Sequence, residues 1–217
     1  MENNNQIDTI KIILLGVAST GKTCLINVYD TNKFDEKTTC TITSSFISKT
    51  LDINERKCKV HLWDTAGSEE YRSVNKIYIK GAQIVILVYD ITRRTTFNEL
   101  SFWFDYTLEC ISKNEATFGV VGNKIDLYDK EKEIKDKDPN VEFDLVMKKE
   151  GSEYADKIGA SFIETSAKEN APGFAELIKR LVEEYYSKNK NTRKNNNFDL
   201  ENQQKQNITK LKKNKCC

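Results

Sequence analysis

Residues 16–23 have the sequence Gly16-Val17-Ala18-Ser19-Thr20-Gly21-Lys22-Thr23. The spacing G-x-x-x-x-G-K-[ST] is typical of a loop that binds phosphate groups. An apolar run precedes this loop at residues 10–15, and residues 24–29 can form a helix after it. The alternative is an ordinary glycine turn with a surface lysine. We favour the phosphate loop, because such a loop needs a strand before it and a helix after it.

Each residue type in this loop suits that chemistry. Gly16 and Gly21 allow backbone turns that a side chain would block. The N–H groups of the loop and of the following helix N-terminus converge on an anion. Lys22 adds positive charge near the outer phosphates, and the Thr23 hydroxyl is a suitable ligand for Mg2+.

Composition limits the alternatives. The chain has 217 residues, enough for one domain with tails, and its net charge of +1 argues against general nucleic-acid binding. No apolar run approaches the roughly 18 residues of a transmembrane helix, and the polar N-terminus is unlike a signal peptide. The six cysteines contain no C-x-x-C pair, and there is one histidine. We therefore expect reduced cytosolic thiols and neither a disulfide framework nor a zinc site.

The hydrophobic pattern predicts alternating strands and helices. Strands are expected near residues 9–15, 46–53, 58–63, 84–89, 117–122 and 161–165. Helices are expected from residue 22 to about 29, over 97–111 with Thr95 or Thr96 as N-cap, at 150–158 and at 174–185. The second and third strands should form a hairpin, with His61 as an ordinary strand residue. The pattern predicts a three-layer α/β domain, with a six-stranded, mostly parallel sheet and one antiparallel edge strand.

The two ends and one internal segment differ in composition from this core. We predict a disordered leader at residues 1–8 and a disordered basic tail at 188–217, rich in Asn, Lys and Gln. Residues 128–149 are dense in charge and are predicted to be an exposed insert. For this insert we favour a solvated loop over a partner-binding site.

Further motifs follow other strands, and ligands of parallel sheets bind beyond the carboxyl ends of the strands. Asp64, in Trp63-Asp64-Thr65-Ala66-Gly67, can hold Mg2+ opposite Thr23, and the Gly67 N–H can contact a third phosphate. Asp126, in Asn123-Lys124-Ile125-Asp126, can accept hydrogen bonds from guanine N1–H and the 2-amino group. The segment Glu164-Thr165-Ser166-Ala167-Lys168 can donate a backbone N–H to the guanine oxygen. Together these motifs predict a guanine-nucleotide site.

With these motifs, residues 9–187 resemble the Ras superfamily of small GTPases, and they are most similar to the Rab family. The Rab-like stretches are Tyr71-Arg72-Ser73-Val74, Ile77-Tyr78-Ile79-Lys80-Gly81-Ala82, Val88-Tyr89-Asp90-Ile91-Thr92 and the terminal Cys216-Cys217. The resemblance implies a P-loop GTPase (G domain) fold. It also implies two switch segments, residues 35–46 and 64–80, which GTP orders and hydrolysis releases.

The resemblance assigns roles to individual residues. Thr41 would ligate Mg2+ together with Thr23 and Asp64, and Phe34 would pack across the guanine. The catalytic residues would be Lys22, Thr41, Gly67 and Ser68. The nucleotide-binding residues would be Gly16, Ala18, Ser19, Thr20, Gly21, Lys22, Thr23, Cys24, Phe34, Thr41, Gly67, Asn123, Lys124, Asp126, Ser166, Ala167 and Lys168.

Ser68 departs from the family pattern, which usually has glutamine directly after D-T-A-G. That glutamine orients the attacking water, and a serine hydroxyl is too short to reach the same place. We therefore predict intact GTP binding with slow intrinsic hydrolysis to GDP and phosphate, unless an activating protein supplies the missing group. The alternative function is a GTP-dependent membrane-recruitment module with negligible hydrolysis. A small-molecule P-loop kinase is disfavoured by the guanine motifs.

Two other features concern partners. Thr43, Ser44 and Ser45 replace the glycine and apolar residue that Rabs usually have there, which should alter the effector surface. The end of the chain does not match the prenylation pattern C-a-a-X, but the resemblance implies geranylgeranylation of both Cys216 and Cys217. Two lipid chains suffice for stable anchoring, and the nearby lysines would attract anionic lipid.

The resemblance thus implies a GTP/GDP switch of vesicle traffic that hydrolyses GTP with Mg2+ as cofactor. Its expected partners are effector proteins that bind the switches, an exchange factor, a GTPase-activating protein and a GDP-dissociation inhibitor. It would be lipid-anchored on the cytoplasmic face of an intracellular or plasma membrane and would cycle through the cytosol.

Overall fold

The computed structural model describes residues 7–36, 41, 44–54, 56–68, 72–128, 134, 144–169 and 172–189, with only the backbone for 72–74. The strands are β1 Asp8–Leu15, β2 Ser45–Ile53, β3 Arg56–Asp64, β4 Ile84–Asp90, β5 Thr117–Asn123 and β6 Ser161–Thr165. The helices are α1 Lys22–Thr31, α2 Arg72–Ile79, α3 Arg94–Asn98, α4 Leu100–Leu108, α5 Lys148–Ile158 and α6 172–189, and residues 125–128 are also helical.

The six strands form one sheet in the order β2-β3-β1-β4-β5-β6. All neighbours are parallel except β2 and β3, which form the antiparallel pair at one edge. Asn54 follows β2 with φ +47°, in the left-handed region that asparagine tolerates better than most residues. The predicted mostly parallel sheet with one antiparallel edge strand is confirmed.

Helices cover both faces of the sheet and make three layers. Alternate residues of β1 show this, since Ile12 and Leu14 pack in the cluster that contains α1 and α6 side chains. Ile13 and Leu15 pack in the opposite cluster, with side chains of α2, α4 and α5. A strand buried on both faces needs a continuous apolar run, which is why residues 10–15 lack polar alternation except at Lys11. Among the described helices, none has both the length and the apolar character needed to cross a membrane.

The edge hairpin carries an aromatic cluster on one face. The Trp63 ring lies 4.8 Å from the Phe46 ring and 5.5 Å from the Tyr78 ring, between centroids. His61 lies on β3 as predicted, with its ring 5.2 Å from that of Phe46. Cys24, Cys58 and Cys110 form no disulfide, and Cys40 lies outside the described residues.

The predicted helix cap at Thr95 or Thr96 is wrong. α3 begins at Arg94, and its N-cap, Arg93, makes no side-chain capping hydrogen bond. The Thr96 hydroxyl instead accepts a hydrogen bond from the Asp90 N–H at 3.0 Å and donates to the Arg93 carbonyl at 2.7 Å. The Thr96 hydroxyl therefore accepts from a backbone N–H at the end of β4. This contact between two elements cannot be read from the residue preferences of helix caps.

Several predicted boundaries also differ from the structure. Glu99 separates α3 from α4, so the single helix predicted over 97–111 is two segments, and Ile111 lies beyond both. α5 begins at Lys148, inside the predicted insert. β1 begins at Asp8, β2 at Ser45, and α6 continues to residue 189, two residues past the predicted end of the domain.

An arginine anchors the chain where the charged insert returns to the domain. The Arg94 guanidinium contacts the carboxylates of Asp144 and Glu150 at 2.5 and 2.6 Å and also bonds the Leu145 carbonyl. The hydrogen bond from Arg94 lowers the pKa of Glu150. Most of the predicted insert, residues 129–133 and 135–143, lies outside the described residues.

We predict that Gly151→Ala destabilises the fold, although alanine is the better helix former. A Cβ at this position in α5 would lie 2.4 Å from the Tyr89 hydroxyl oxygen and 2.7 Å from the Phe162 ring. Overpacking of this kind costs about 1–3 kcal/mol, more than the roughly 1 kcal/mol gained in helix propensity. Urea unfolding beside Ser152→Ala, on the same helix, measures the effect, and unchanged or increased stability contradicts the prediction.

Candidate functional site

A cavity of about 450 Å3 lies beyond the carboxyl ends of the parallel strands. It brings together most of the residues predicted for the site, namely Ala18, Ser19, Gly21, Lys22, Thr23, Cys24, Phe34, Thr41, Gly67, Ser68, Asn123, Lys124, Asp126, Ala167 and Lys168. Asp35, Glu36, Thr65 and Leu127 also line it; none of these was predicted to bind the nucleotide.

Four predicted residues do not line the cavity: Gly16, Thr20, Asp64 and Ser166. Each lies in one of the sequence motifs whose other residues line the cavity. Gly16 has φ +148°, and a Cβ on it would lie 2.2 Å from the Val88 carbonyl oxygen. Only glycine therefore fits at this position. Thr20 and Ser166 are fully buried, and Asp64 is nearly so.

The phosphate loop surrounds a buried ammonium group. Lys22 Nζ donates to the carbonyls of Gly16 at 2.8 Å and Val17 at 3.0 Å. Gly67 lies directly against the loop, since a Cβ on it would be 2.5 Å from Ala18 N and 2.6 Å from Lys22 Nζ. A buried positive charge beside a helix N-terminus is an arrangement that attracts anions.

Three oxygen-bearing side chains meet beside the loop. Thr23 Oγ1 lies 2.8 Å and Thr41 Oγ1 3.0 Å from Asp64 Oδ2, and the two hydroxyls are 2.7 Å apart. Burial raises the pKa of the Asp64 carboxyl, against the hydrogen bonds from Thr23 and Thr41 and the charge of Lys22. Asp64 Oδ1 is buried without a hydrogen-bond partner.

This oxygen cluster fits Mg2+. The ion prefers hard oxygen ligands and is usually bound by one or two carboxylates together with substrate phosphates and water. Among the described residues, no group of three or more His, Cys, Asp or Glu side chains is arranged to hold a metal ion. Asp64, through its unpartnered Oδ1, and the hydroxyls of Thr23 and Thr41 would hold Mg2+.

Asn123 joins the phosphate loop to the opposite end of the cavity. Its Nδ2 donates to the Thr20 carbonyl at 2.8 Å, and its Oδ1 accepts from the Ala167 N–H at 3.1 Å. Ser166 supports the same end, since its hydroxyl donates to Asp126 Oδ1 at 2.6 Å. Ser166 thus orients the predicted guanine-binding carboxylate from behind the cavity wall.

The predicted donation of a backbone N–H from residues 164–168 to guanine stays a prediction. The Ala167 N–H donates to Asn123, and the Lys168 N–H donates to Ser166 Oγ at 3.0 Å. In this structure both amides bond side-chain oxygens of the protein. The mouth of the cavity is formed by Phe34 and by an ion pair between Lys168 and Glu36 at 2.8 Å.

Asp90 is a functional candidate that the sequence prediction missed. Its buried carboxylate lies 2.7 Å from Lys124 Nζ and 3.0 Å from Arg93 Nε, and Arg93 Nη2 donates to the Ala18 carbonyl at 3.3 Å. Burial acts to raise the pKa of Asp90, but hydrogen bonding and charge from Lys124, together with Thr92, outweigh it and lower the pKa. The sequence signal that could have indicated Asp90 is an acidic residue at the end of a continuous apolar strand.

The sequence model of the Ras family matches residues 11–187 of this chain. The chain belongs to the Ras family. Rab-21 of Geodia cydonium is 36% identical over 176 residues, 80% of this chain and 71% of that relative. Rab-18 of Lymnaea stagnalis is 35% identical over 186 residues, 84% and 85% of the two chains. SEC4 of Saccharomyces cerevisiae is 36% identical over 191 residues, 87% and 82% of the two chains.

These relatives establish a Rab-like small GTPase of the Ras superfamily. The predicted resemblance and the P-loop GTPase fold are therefore confirmed. Ras-family and Rab proteins bind GTP and GDP and generally use Mg2+, which agrees with the cavity and its oxygen cluster. The roles of individual residues in this chain stay predictions.

We predict that Asp90→Asn accelerates release of bound GDP at least about tenfold. The change removes the charge that holds Lys124 and Arg93, and a hydrogen bond to a charged group is worth about 1.5–3 kcal/mol. Displacement of a fluorescent GDP derivative measures the rate, with Asp105→Asn, an exposed aspartate on α4, as the control. Equal release rates in wild type and Asp90→Asn contradict the role assigned to Asp90.

Proposed function

We propose that this Rab-like GTPase is a GTP/GDP switch of vesicle traffic with slow intrinsic hydrolysis. The observation that carries the proposal is one cavity lined by both Asp126 and Lys22. A carboxylate distinguishes guanine from adenine, because only guanine presents N1–H and a 2-amino group together. A buried ammonium with loop amides accommodates a chain of phosphates.

Nucleotide binding uses the predicted residues as follows. Phe34 covers the guanine at the mouth of the cavity, and Asp126, held by Ser166, accepts from the base. Asn123 holds the phosphate loop and the segment around Ala167 at a fixed separation. Thr23, Thr41 and Asp64 hold Mg2+, which when bound neutralises charge on the phosphate oxygens.

Hydrolysis transfers the third phosphoryl group to water. The water oxygen forms a bond to the γ-phosphorus, and the bond from that phosphorus to the β–γ bridging oxygen breaks, leaving GDP and phosphate. Lys22, the loop amides and the Gly67 N–H stabilise the negative charge on the phosphate oxygens. Ser68 lines the cavity next to Gly67, but its short hydroxyl is poorly suited to orient the water, so turnover is slow.

A second candidate function rests on the same residue. Without effective water positioning, the chain would act as a GTP-dependent recruitment module with negligible turnover. The two candidates differ in the nucleotide that the purified protein carries. Predominantly GDP supports the hydrolysing switch, and predominantly GTP supports the recruitment module.

We predict that Ser68→Gln raises the single-turnover rate of GTP hydrolysis at least about tenfold, because it restores a side chain that can orient water. Ser112→Gln is the matched control, since Ser112 is exposed and does not line the cavity. Equal hydrolysis rates in wild type and Ser68→Gln contradict the assignment of slow turnover to Ser68.

Effector binding through the two switch segments is part of the same proposal. Phe46 is 49% exposed and Ile77 is 73% exposed, and both lie in or beside the described portions of these segments. A contiguous patch of such exposed apolar side chains would form a protein-binding surface. Thr43 lies outside the described residues, whereas Ser44 and Ser45 lead into β2 beside Phe46. An exchange factor, an activating protein and a GDP-dissociation inhibitor complete the proposed set of partners.

Membrane attachment would come from the C-terminal tail. We keep the proposed division into a leader (1–8), a G domain (9–187) and a basic tail (188–217), although β1 includes Asp8 and α6 continues to residue 189. In this proposal Cys216 and Cys217 carry the lipids. Residues 190–217 lie outside the described part of the chain. Two lipid chains and adjacent lysines provide the stable anchoring that one chain alone does not. The protein would then act on the cytoplasmic face of a membrane and cycle through the cytosol.

We predict that replacing both Cys216 and Cys217 with serine moves the protein from the membrane fraction to the cytosol, because the lipid acceptors are lost. Cell fractionation and fluorescence imaging measure the distribution. Cys110→Ser is the control, since Cys110 is a partly buried thiol that hydrogen-bonds within the domain. An unchanged membrane fraction in the double variant contradicts lipid anchoring at these residues.

A further inference from the structure

A buried asparagine on α2 holds the peptide that precedes Gly67. Asn75 Nδ2 donates to the Ala66 carbonyl at 3.0 Å, and both residues are almost fully buried. A carbonyl oxygen only accepts hydrogen bonds, so the amide group of Asn75 must present its NH2 side to Ala66. This bond connects a helix of the second switch segment to the motif that ends β3.

The bond orients a second group on the same peptide. The Ala66 carbonyl and the Gly67 N–H belong to one planar peptide unit, and the described chain contains no cis peptide bond. In a trans peptide the C=O and N–H point in opposite directions. Fixing the carbonyl towards Asn75 therefore fixes the Gly67 N–H on the side facing away from α2.

The neighbouring residues leave this peptide few other orientations. Asp64 is held by Thr23 and Thr41, and the Thr65 hydroxyl donates to the Leu14 carbonyl at 2.6 Å. Gly67 itself lines the cavity and lies against Ala18 N and Lys22 Nζ. The Gly67 N–H therefore belongs to the same part of the cavity as the phosphate loop.

The helix that carries Asn75 is anchored by further contacts. Ile79 is fully buried in the core cluster that includes α4 side chains. Lys76 forms an ion pair with Glu109 at 2.8 Å, and its ammonium lies 5.1 Å from the Tyr106 ring centroid. Asn75 thus projects from a helix whose position the core sets.

We propose that Asn75 is a positioning residue for the third phosphate of GTP. By holding the Ala66 carbonyl, it aims the Gly67 N–H at that phosphate and links the position of α2 to its presence. Linkage is reciprocal, so a third phosphate that bonds Gly67 also stabilises the contact between Asn75 and Ala66. The inference rests on the proposed GTP-binding function and adds the residue through which α2 senses the phosphate.

A purely structural role for Asn75 has a different consequence. Loss of a structural hydrogen bond destabilises the domain and weakens GDP and GTP alike. Loss of the positioning role weakens only the nucleotide that has a third phosphate. The ratio of the two affinities therefore separates the roles, and general destabilisation does not change it.

The test replaces Asn75 with leucine, which is close in size but has no donor, and with serine, whose hydroxyl is too short to reach. Dissociation constants for GDP and for a non-hydrolysable GTP analogue are measured on the full chain with Mg2+. We expect the preference for the GTP analogue over GDP to fall about 3- to 10-fold in both variants, the range of one hydrogen bond. GDP affinity should stay within about twofold, since GDP lacks the contacted phosphate.

Thr107→Ala is the matched control. Thr107 is fully buried, its hydroxyl bonds the Trp103 carbonyl within α4, and it does not line the cavity. It should lower the unfolding temperature without changing the nucleotide preference. Thermal unfolding of each GDP-bound variant shows that it is folded.

The outcomes separate this inference from the proposed function. If wild type binds both nucleotides and both Asn75 variants keep its preference, the positioning role is overturned and the proposed function stands. If wild type binds neither nucleotide, the proposed function fails and the inference fails with it. A lost preference in the Thr107→Ala control would also overturn the assignment to Asn75.

Discussion

The site depends on the side chain of Asn123, which holds two loops from different strands at a fixed separation. The phosphate loop follows β1 and the base loop follows β6, and β4 and β5 lie between these strands in the sheet. One amide reaches both, with Nδ2 on the Thr20 carbonyl and Oδ1 on the Ala167 N–H. Because Asn123 is buried, water does not compete for these hydrogen bonds. The two loops therefore stay close enough to line the same cavity. Gly21 makes this possible, since a Cβ there would lie 2.2 Å from Asn123 Nδ2.

Several charged side chains are buried near Asn123, and the protein supplies only some of the partners that they need. Lys22, Asp64 and Asp90 are all at most 5% exposed, where an unpaired charge is costly. Asp90 is compensated within the fold by Lys124 and Thr92, but one oxygen of Asp64 has no partner. Ser19 and Lys124 also adopt left-handed backbone angles, with φ +64° and +72°. Strain and unmet polar groups concentrate where a ligand can compensate them.

Much of this could be predicted from the sequence because the signals are local. The apolar runs at residues 10–15 and 84–89 predict buried strands, and each motif lies within a few residues of a strand end. Asp90 and Asn75 were missed because their importance comes from partners in other elements. Asp90 contacts Lys124, 34 positions away in a neighbouring strand's loop, and Asn75 acts on a peptide that α2 reaches only after docking on the core. No periodicity or spacing rule encodes such contacts.

The sequence by itself determined the class of ligand, the order of strands and helices, and most of the residues that line the cavity. Loop chemistry and hydrophobic period depend on adjacent residues, so they can be recognised without coordinates. Only the tertiary structure decided which partner each of several polar groups bonds inside the protein. The Thr96 hydroxyl serves the end of β4, the Ala167 and Lys168 amides serve the base loop, and Asn75 serves Ala66. A polar group forms a hydrogen bond with a partner that packing places within about 3 Å. Which partner this is depends on the whole fold.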